Sequence, residues 1–459
     1  MITAMEIASA LRPALIEAPS VGPMRFRHAV VDSRKAGRGD IFVALPGENV
    51  DGHEFVAHAA QRGATGAIVE RRMDADIAQY VVPSALNGLQ NLARRRRASR
   101  PKLEVVAITG SVGKTTTKEL VAAVLDVSYH LLKNEGNLNS EIGLPLVLLE
   151  LTKRHQRAVL EMGMWAPGEI ALLCDIARPD TGIVTNVGPS HMERLGSLDA
   201  ITDAKAELVE ALSEDGVAIL NADDPRVAGM ATRTNANVVT YGLAPDADVR
   251  ADEIESHGLS GVSFVLVHGD ERVQVYSHLA GRAMVHNALA AAAAGIVEGI
   301  GLADIAAALS EVQIPTRLTA HPGINGSTII DDTYNASPAS MRAALDLLGE
   351  VKGRKIAVLG DMRELGAAER EGHTEIGRLA AEVADAIYAV GDLGRWIGDA
   401  AIQAGHQHVQ IMMDKSEIAP ILAPTLRKGD VVLLKASRAL ALETLLGELT
   451  DGASGEARR

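Results

Sequence analysis

At 459 residues, with 47% hydrophobic and 23% charged side chains, the chain is long enough for about three domains, and its composition excludes disordered and fibrous classes. Lys plus Arg number 45 and Asp plus Glu 59, a formal charge of −14 that argues against general nucleic-acid binding, which rests on basic surface neutralising phosphates. The single cysteine, Cys174, excludes an intrachain disulfide, fits a reducing cytosol and reads as a buried structural residue.

Residues 1–98 form the first segment. Its start, MITAMEIASALRPALI, has no basic stretch ahead of the apolar residues and is a poor secretory signal. Short strands and turns follow, punctuated by Gly37, Gly39, Pro46-Gly47 and Asp51-Gly52. Arg94 to Arg97 read as a solvated helix end and, with Pro101, mark the first boundary. The second segment, 99–315, alternates apolar runs with helical patterns. LEVVAIT (103–109) predicts a buried strand, Lys114 to Val127 a helix, and RAVLEMG (157–163), TGIVTNV (181–187) and GVAILNA (216–222) further strands. VSFVLVH and RVQVYSH, within 246–282, predict an antiparallel ribbon, followed by a helix from Met284 to Glu298. The apolar stretch Ala283 to Ile300 contains His286, Asn287 and Glu298 and is a poor membrane span. Pro315 marks the second boundary. In 316–459 the alternation restarts with STIIDDT (327–333), a helix capped by Ser337-Pro338, and strands RKIAVLG (354–360), AIYAVG (386–391) and DVVLLKAS (430–437). The expected fold is α/β in three domains. A small α/β N-terminal domain precedes a central, doubly wound, mainly parallel sheet with a P-loop, and a Rossmann-like C-terminal domain follows.

The sharpest motif is Thr109-Gly110-Ser111-Val112-Gly113-Lys114-Thr115-Thr116, between a strand and a helix. Small residues let successive backbone N–H groups converge on phosphate oxygens at the helix N-terminus. Lys114 reaches the outer phosphates, and the Thr115 hydroxyl suits Mg²⁺. The generic pattern wants glycine where this chain has Ile108, so the loop is the shorter TGxxGKT variant. Glu161 and His191 fall at predicted strand ends, where ligands gather in parallel sheets. Each also has a plain reading, a solvated acidic cap and a structural histidine. Lys205, within DAKAELVE, reads from spacing alone as an exposed lysine paired with Asp203 or Glu207.

TGSVGKTTTKEL, GNLNSEIGLPLVLL (136–149), EMGMWAPGEI (161–170), TNVGPSHMERLGS (185–197), DAKAELVE, NADD (221–224) and HNALAAAA (286–293) together resemble the Mur ligase family. DSRKAGRGDIFVALPGENVDGHEF (32–55) resembles the family's uridine-nucleotide-binding domain, and DDTYNASPASMRAAL (331–345), GDMRELG (360–366) and LLKASR (433–438) resemble the branch that adds a dipeptide. Trp165 departs from the polar residue usual there.

The resemblance implies a cytoplasmic, monomeric ligase of peptidoglycan precursor synthesis. It would bind UDP-N-acetylmuramoyl-tripeptide, ATP with Mg²⁺, and then D-alanyl-D-alanine, with no nucleic acid and no membrane span. Position by position, it implies that Ser33, Arg34, Gly47, Asp51, Gly52 and His53 hold the uridine nucleotide, and that Asn137 and Asn139 contact the muramoyl-side substrate or the phosphate region. Thr115 and Glu161 would bind one Mg²⁺; His191 and an N-carboxylated Lys205 would bind a second. Asn287 would contact adenine, while Arg317 and Asp332 would close over ATP. Tyr334 and Asn335 are either further site residues or a turn before the Ser337 cap. Arg363 and Arg438 either anchor the dipeptide carboxylate or pair with Asp361 or Glu364. Three rival readings remain. The sister ligase that adds a diamino acid usually carries a DNPR segment, absent here. Folylpolyglutamate synthase lacks the DSR…DGH domain. A nucleotide-dependent regulator without synthetic activity would have little need for Lys114, Glu161, His191 and Lys205 together.

Overall fold

A computed structural model describes residues 1–450 except 13, 20–23, 48, 191 and 315–317. Three principal sheets divide these residues. The first is four-stranded and parallel, built from Ala29–Val30, Ile41–Val43, Gly66–Val69 and Ala78–Val81. The second has nine strands, with Glu104–Thr109 flanked by Thr181–Val184 and Arg157–Glu161, and Leu131–Lys133 at one edge. Its other edge is the expected ribbon, Val249–Ser256, Val262–His268 and Glu271–Ser277 in antiparallel register. The third has six strands, all parallel except Thr319–Pro322, with Val431–Lys435 between Thr328–Asp331 and Lys355–Gly360.

The strand Glu104–Thr109 shows why these runs are so apolar. Val106 and Ile108 point into one core with the helices Lys114–Asp126 and Ala283–Val297, while Val105 and Ala107 point into another with Glu169–Ala177 and Leu198–Glu210. A parallel strand covered on both faces needs hydrophobic residues at every position. Ala288 and Ala290 to Ala294 of the helix Ala283–Val297 are buried, and the helix packs against Lys114–Asp126, so the core closes with few aromatics.

The arginine run differs from its sequence reading. Arg96 and Arg97, near the end of helix Ala85–Ala98, are 4% and 7% exposed. Arg96 donates to the Met1 and Leu151 carbonyls and pairs with Glu6; Arg97 donates to the carbonyls of Ala177 and Arg178 and pairs with Asp180. The helix lies against the central domain, so the guanidiniums satisfy carbonyls at the ends of neighbouring helices instead of meeting solvent. Among the described residues, no helix is long and apolar enough to cross a membrane. Cys174 is buried, which pushes its thiol up to about 12.

Candidate active site

The P-loop leaves the strand Glu104–Thr109 and enters the helix Lys114–Asp126 through Gly113, whose φ of +87° favours glycine. A Cβ there would lie 2.6 Å from Asn287 Oδ1, so Asn287, 8% exposed, sits directly against the loop. Lys114 Nζ donates back to the Gly110 carbonyl at 2.8 Å. The TNVG segment braces the loop from the next strand. Asn186 Oδ1 accepts from the Val112 N–H at 2.9 Å, and Thr185 Oγ1 and Asn186 Nδ2 donate to the Val112 carbonyl. Thr185 and Asn186 carried no assigned role in the sequence, although the segment containing them contributed to the resemblance.

Two adjoining cavities meet at this loop. One, of about 300 Å³, is lined by Thr109 through Thr115, Glu161 and Lys205, and by Tyr334, Asn335 and Arg363 across from them. The other, about 410 Å³, gathers Asn186, Asp223, His286, Asn287 and Asp332 beside Gly113. Central and C-terminal residues thus share both walls. Trp165 lines the first cavity, with the Arg194 guanidinium 5.1 Å from its ring centre.

Glu161 ends its strand and is 4% exposed. Its Oε1 accepts from Asn139 Nδ2 at 2.8 Å, whereas its buried Oε2 has no hydrogen-bond partner among the described residues. A buried carboxylate oxygen left unpaired beside a phosphate loop fits a hard divalent cation. Lys205, in helix Leu198–Glu210, is 1% exposed, and no described residue gives it a hydrogen bond or ion pair. The partners its spacing suggested are used elsewhere. Asp203 pairs with Arg233, and Glu207 accepts from the N–H groups of Gly168 and Ala171. Burial, then the nearby Lys114 charge, holds Lys205 well below the ordinary lysine range.

The C-terminal wall is held from beneath. Asp332, buried, forms an ion pair with the fully buried Lys435, whose Nζ also donates to the Asn335 carbonyl at 3.0 Å. Asp361 accepts from the N–H groups of Leu393 and Gly394, and Arg363 Nη2 donates to it at 2.6 Å. His373 Nε2 accepts from the Met362 N–H, which fixes its tautomer so that Nδ1–H donates to the Glu369 carbonyl; burial lowers its pKa. Arg438 pairs with Glu443 and does not line the cleft. His191 and Arg317 lie outside the described residues.

The residues assigned to the uridine nucleotide form a separate group, none of which lines these cavities. Ser33 is buried and hydrogen-bonded to His58 at 3.0 Å, while Arg34 is exposed and paired with Asp32. Gly47 is exposed, and Gly52 N–H donates to the Leu45 carbonyl. His53 is fully buried. Its Nε2 accepts from the Glu70 N–H and its Nδ1 donates to Asp51, so it shapes the Asp51 loop and has no nitrogen left for a ligand. Arg71 and His53 hold the Asp51 carboxyl well below the usual carboxylate range. Asn137 is exposed, whereas Asn139 reaches the cleft and orients Glu161.

Comparison with known proteins places this geometry. The Mur ligase family catalytic domain matches residues 26–107, the Mur ligase middle domain 108–295, and the Mur ligase glutamate ligase domain 316–438. The chain is 36% identical to the UDP-N-acetylmuramoyl-tripeptide–D-alanyl-D-alanine ligase of Bacillus subtilis, over 92% of each chain. A crystal structure of MurF from Acinetobacter baumannii superposes with a TM-score of 0.89 at 35% identity, covering 97% of this chain and 98% of that one. MurF ligase from Thermotoga maritima in complex with ADP gives 0.82 at 32% identity, covering 92% and 96%. With three family domains in order along the chain, and the second and third sharing one cleft, the chain belongs to the Mur ligase family.

Proposed function

We propose that the chain is an ATP-dependent amide-bond ligase that joins D-alanyl-D-alanine to UDP-N-acetylmuramoyl-tripeptide in peptidoglycan precursor synthesis, releasing ADP and phosphate. The observation that carries the chemistry is the convergence of Lys114, the unpaired Glu161 Oε2 and the buried Lys205 in one cleft walled by the third domain. The substrates follow from relatives that share nearly the whole length of the chain. Residues 1–98 take the uridine nucleotide, 99–315 the ATP, and 316–459 the amine.

A tripeptide carboxylate is a poor electrophile. Its oxygen attacks the γ-phosphorus of ATP, the bond to the bridging oxygen breaks, and ADP leaves an acyl phosphate. The neutral dipeptide amine then attacks the acyl carbon; the tetrahedral intermediate collapses, phosphate departs and the nitrogen gives up its proton. Lys114 and the loop N–H groups offset the charge where carboxylate meets phosphate. Mg²⁺, when bound, supplies further neutralisation of the phosphate oxygens, with Thr115 and Glu161 as ligands of one ion and His191 and carboxylated Lys205 of the second. Asn287 packs at the adenine side and Asp332 at the closing wall. Tyr334, Asn335 and Arg363 cover the cleft and keep water from the acyl phosphate. The enzyme works in the cytoplasm as a monomer.

The test supplies ATP, UDP-muramoyl tripeptide and competing amines in one reaction, and identifies the product by mass. Phosphate release that needs both tripeptide and D-alanyl-D-alanine is expected. A diamino acid joined to a muramoyl dipeptide, with D-alanyl-D-alanine ignored, gives the activity to the sister ligase instead.

A further inference from the structure

The strand Leu131–Lys133 runs beside Arg157–Glu161 and pairs Leu131 with Arg157, Leu132 with Ala158 and Lys133 with Val159. There the edge strand stops and the chain turns into the GNLN loop, which leaves Glu161 without a strand neighbour on that side. The side chain of Asn134 takes the neighbour's place. Its Oδ1 accepts from the Glu161 N–H at 2.9 Å, and its Nδ2 donates to the Glu161 carbonyl at 2.9 Å. One amide thereby makes the two bonds a continuing strand would have made.

Asn134 is itself fully buried and fixed from two further directions. Lys118 Nζ, on the helix that starts at the P-loop, donates to the Asn134 carbonyl at 2.7 Å. Asn134 Nδ2 also donates to the Leu138 carbonyl at 3.1 Å, drawing in the loop whose Asn139 holds Glu161 Oε1. The P-loop helix, the GNLN loop and the last residue of the strand are therefore locked to one another through a single residue, the helix by its carbonyl and the other two by its side chain.

We infer that Asn134 is a positioning residue for the cation site. It fixes the backbone of Glu161 at both its N–H and its carbonyl, so that Oε2 is presented to the cleft while Asn139 occupies Oε1. This rests on the reading of Glu161 as a Mg²⁺ ligand. Partners that orient a metal ligand typically contribute ~10–100-fold to metal affinity. Loss of Asn134 should weaken Mg²⁺ without weakening the nucleotide itself.

The experiment follows a fluorescent ADP analogue bound to the full-length protein, titrated with Mg²⁺ and requiring no turnover. Asn134→Ala is expected to raise the Mg²⁺ midpoint ~10-fold or more, leaving Mg²⁺-free binding of the analogue as in the wild type. Val159→Ala, which opens a cavity in the same strand without touching the network, is the stability control and should keep the wild-type midpoint. Asn134→Ser leaves a hydroxyl with room for water, disturbs the fold less, and is read the same way where the alanine variant does not fold. An unchanged midpoint in the folded Asn134 variants, or an equal shift in Val159→Ala, overturns the inference. A wild type whose analogue binding ignores Mg²⁺ overturns the cation site beneath it.

Discussion

At the scale of the residue, Lys205 is where sequence and environment disagree most. Its helical spacing reads as an ordinary solvated lysine, yet it is 1% exposed and lacks a partner among the described residues. Burial, and then the neighbouring Lys114 charge, disfavours the ammonium and shifts the balance toward the neutral amine. A neutral amine attacks the carbon of dissolved CO₂ and, losing a proton, becomes a carbamate. That converts a cation into an anionic oxygen ligand without changing the backbone. Lys205→Ala is expected to be nearly inactive and to regain part of its turnover when short-chain carboxylates are added, since they can fill the vacated anion position. Undiminished activity in Lys205→Ala, or a high-resolution map of active enzyme with a bare amine remote from both metals, removes the carbamate from the mechanism.

At the scale of the element, the loop of GDMRELG presents one cation to the cleft. Asp361 is 1% exposed and uses its carboxylate to grip two backbone N–H groups and Arg363, while the Arg363 side chain stays half exposed at the cavity. The other cationic side chains among the described lining residues are Lys114, which the proposed mechanism gives to phosphate, and the buried Lys205. Arg363 is therefore the side chain suited to the dipeptide carboxylate, and its ion pair with Asp361 orients it for that purpose. Sequence reasoning posed anchoring and pairing as alternatives; the geometry accommodates both. A charged hydrogen bond contributes about 1.5–3 kcal/mol, so Arg363→Met should raise KM for D-alanyl-D-alanine ~10–100-fold while KM for ATP stays put. The variant should also lose any preference for the dipeptide over its C-terminal amide. A preference that survives in Arg363→Met, or a rise in KM for ATP instead, assigns the arginine elsewhere.

At the scale of the whole molecule, the sheets and the P-loop were legible because their information is local: continuous apolar runs in the parallel strands, alternation in the ribbon, caps such as Ser337-Pro338, and glycines at a strand end. The residues that went unassigned or, like Arg96, were read as solvated share a different property. Asn134 acts on Glu161, Lys435 on Asp332, and Arg96 on Glu6, each across long stretches of chain that no periodicity connects. Contact between the domains is of the same kind. Gly366, at φ +53°, lies against the helix Met192–Leu195 of the central domain, and the Glu193 N–H donates to the Glu364 carbonyl at 3.3 Å. A Cβ at Gly366 would stand 2.9 Å from Glu193 Cα, a clash with backbone that disappears when the domains separate. Gly366→Ala therefore acts twice. The positive φ costs about 1–3 kcal/mol in either arrangement, but the clash burdens only the closed one. Nucleotide binding to the central domain should survive, whereas kcat should fall ~10-fold for each 1.4 kcal/mol by which closure is disfavoured. Solution scattering with ADP and the muramoyl tripeptide should report a larger radius of gyration for the variant than for the wild type. If kcat and the radius both match the wild type, the Gly366 contact has no part in closing the enzyme over its acyl phosphate.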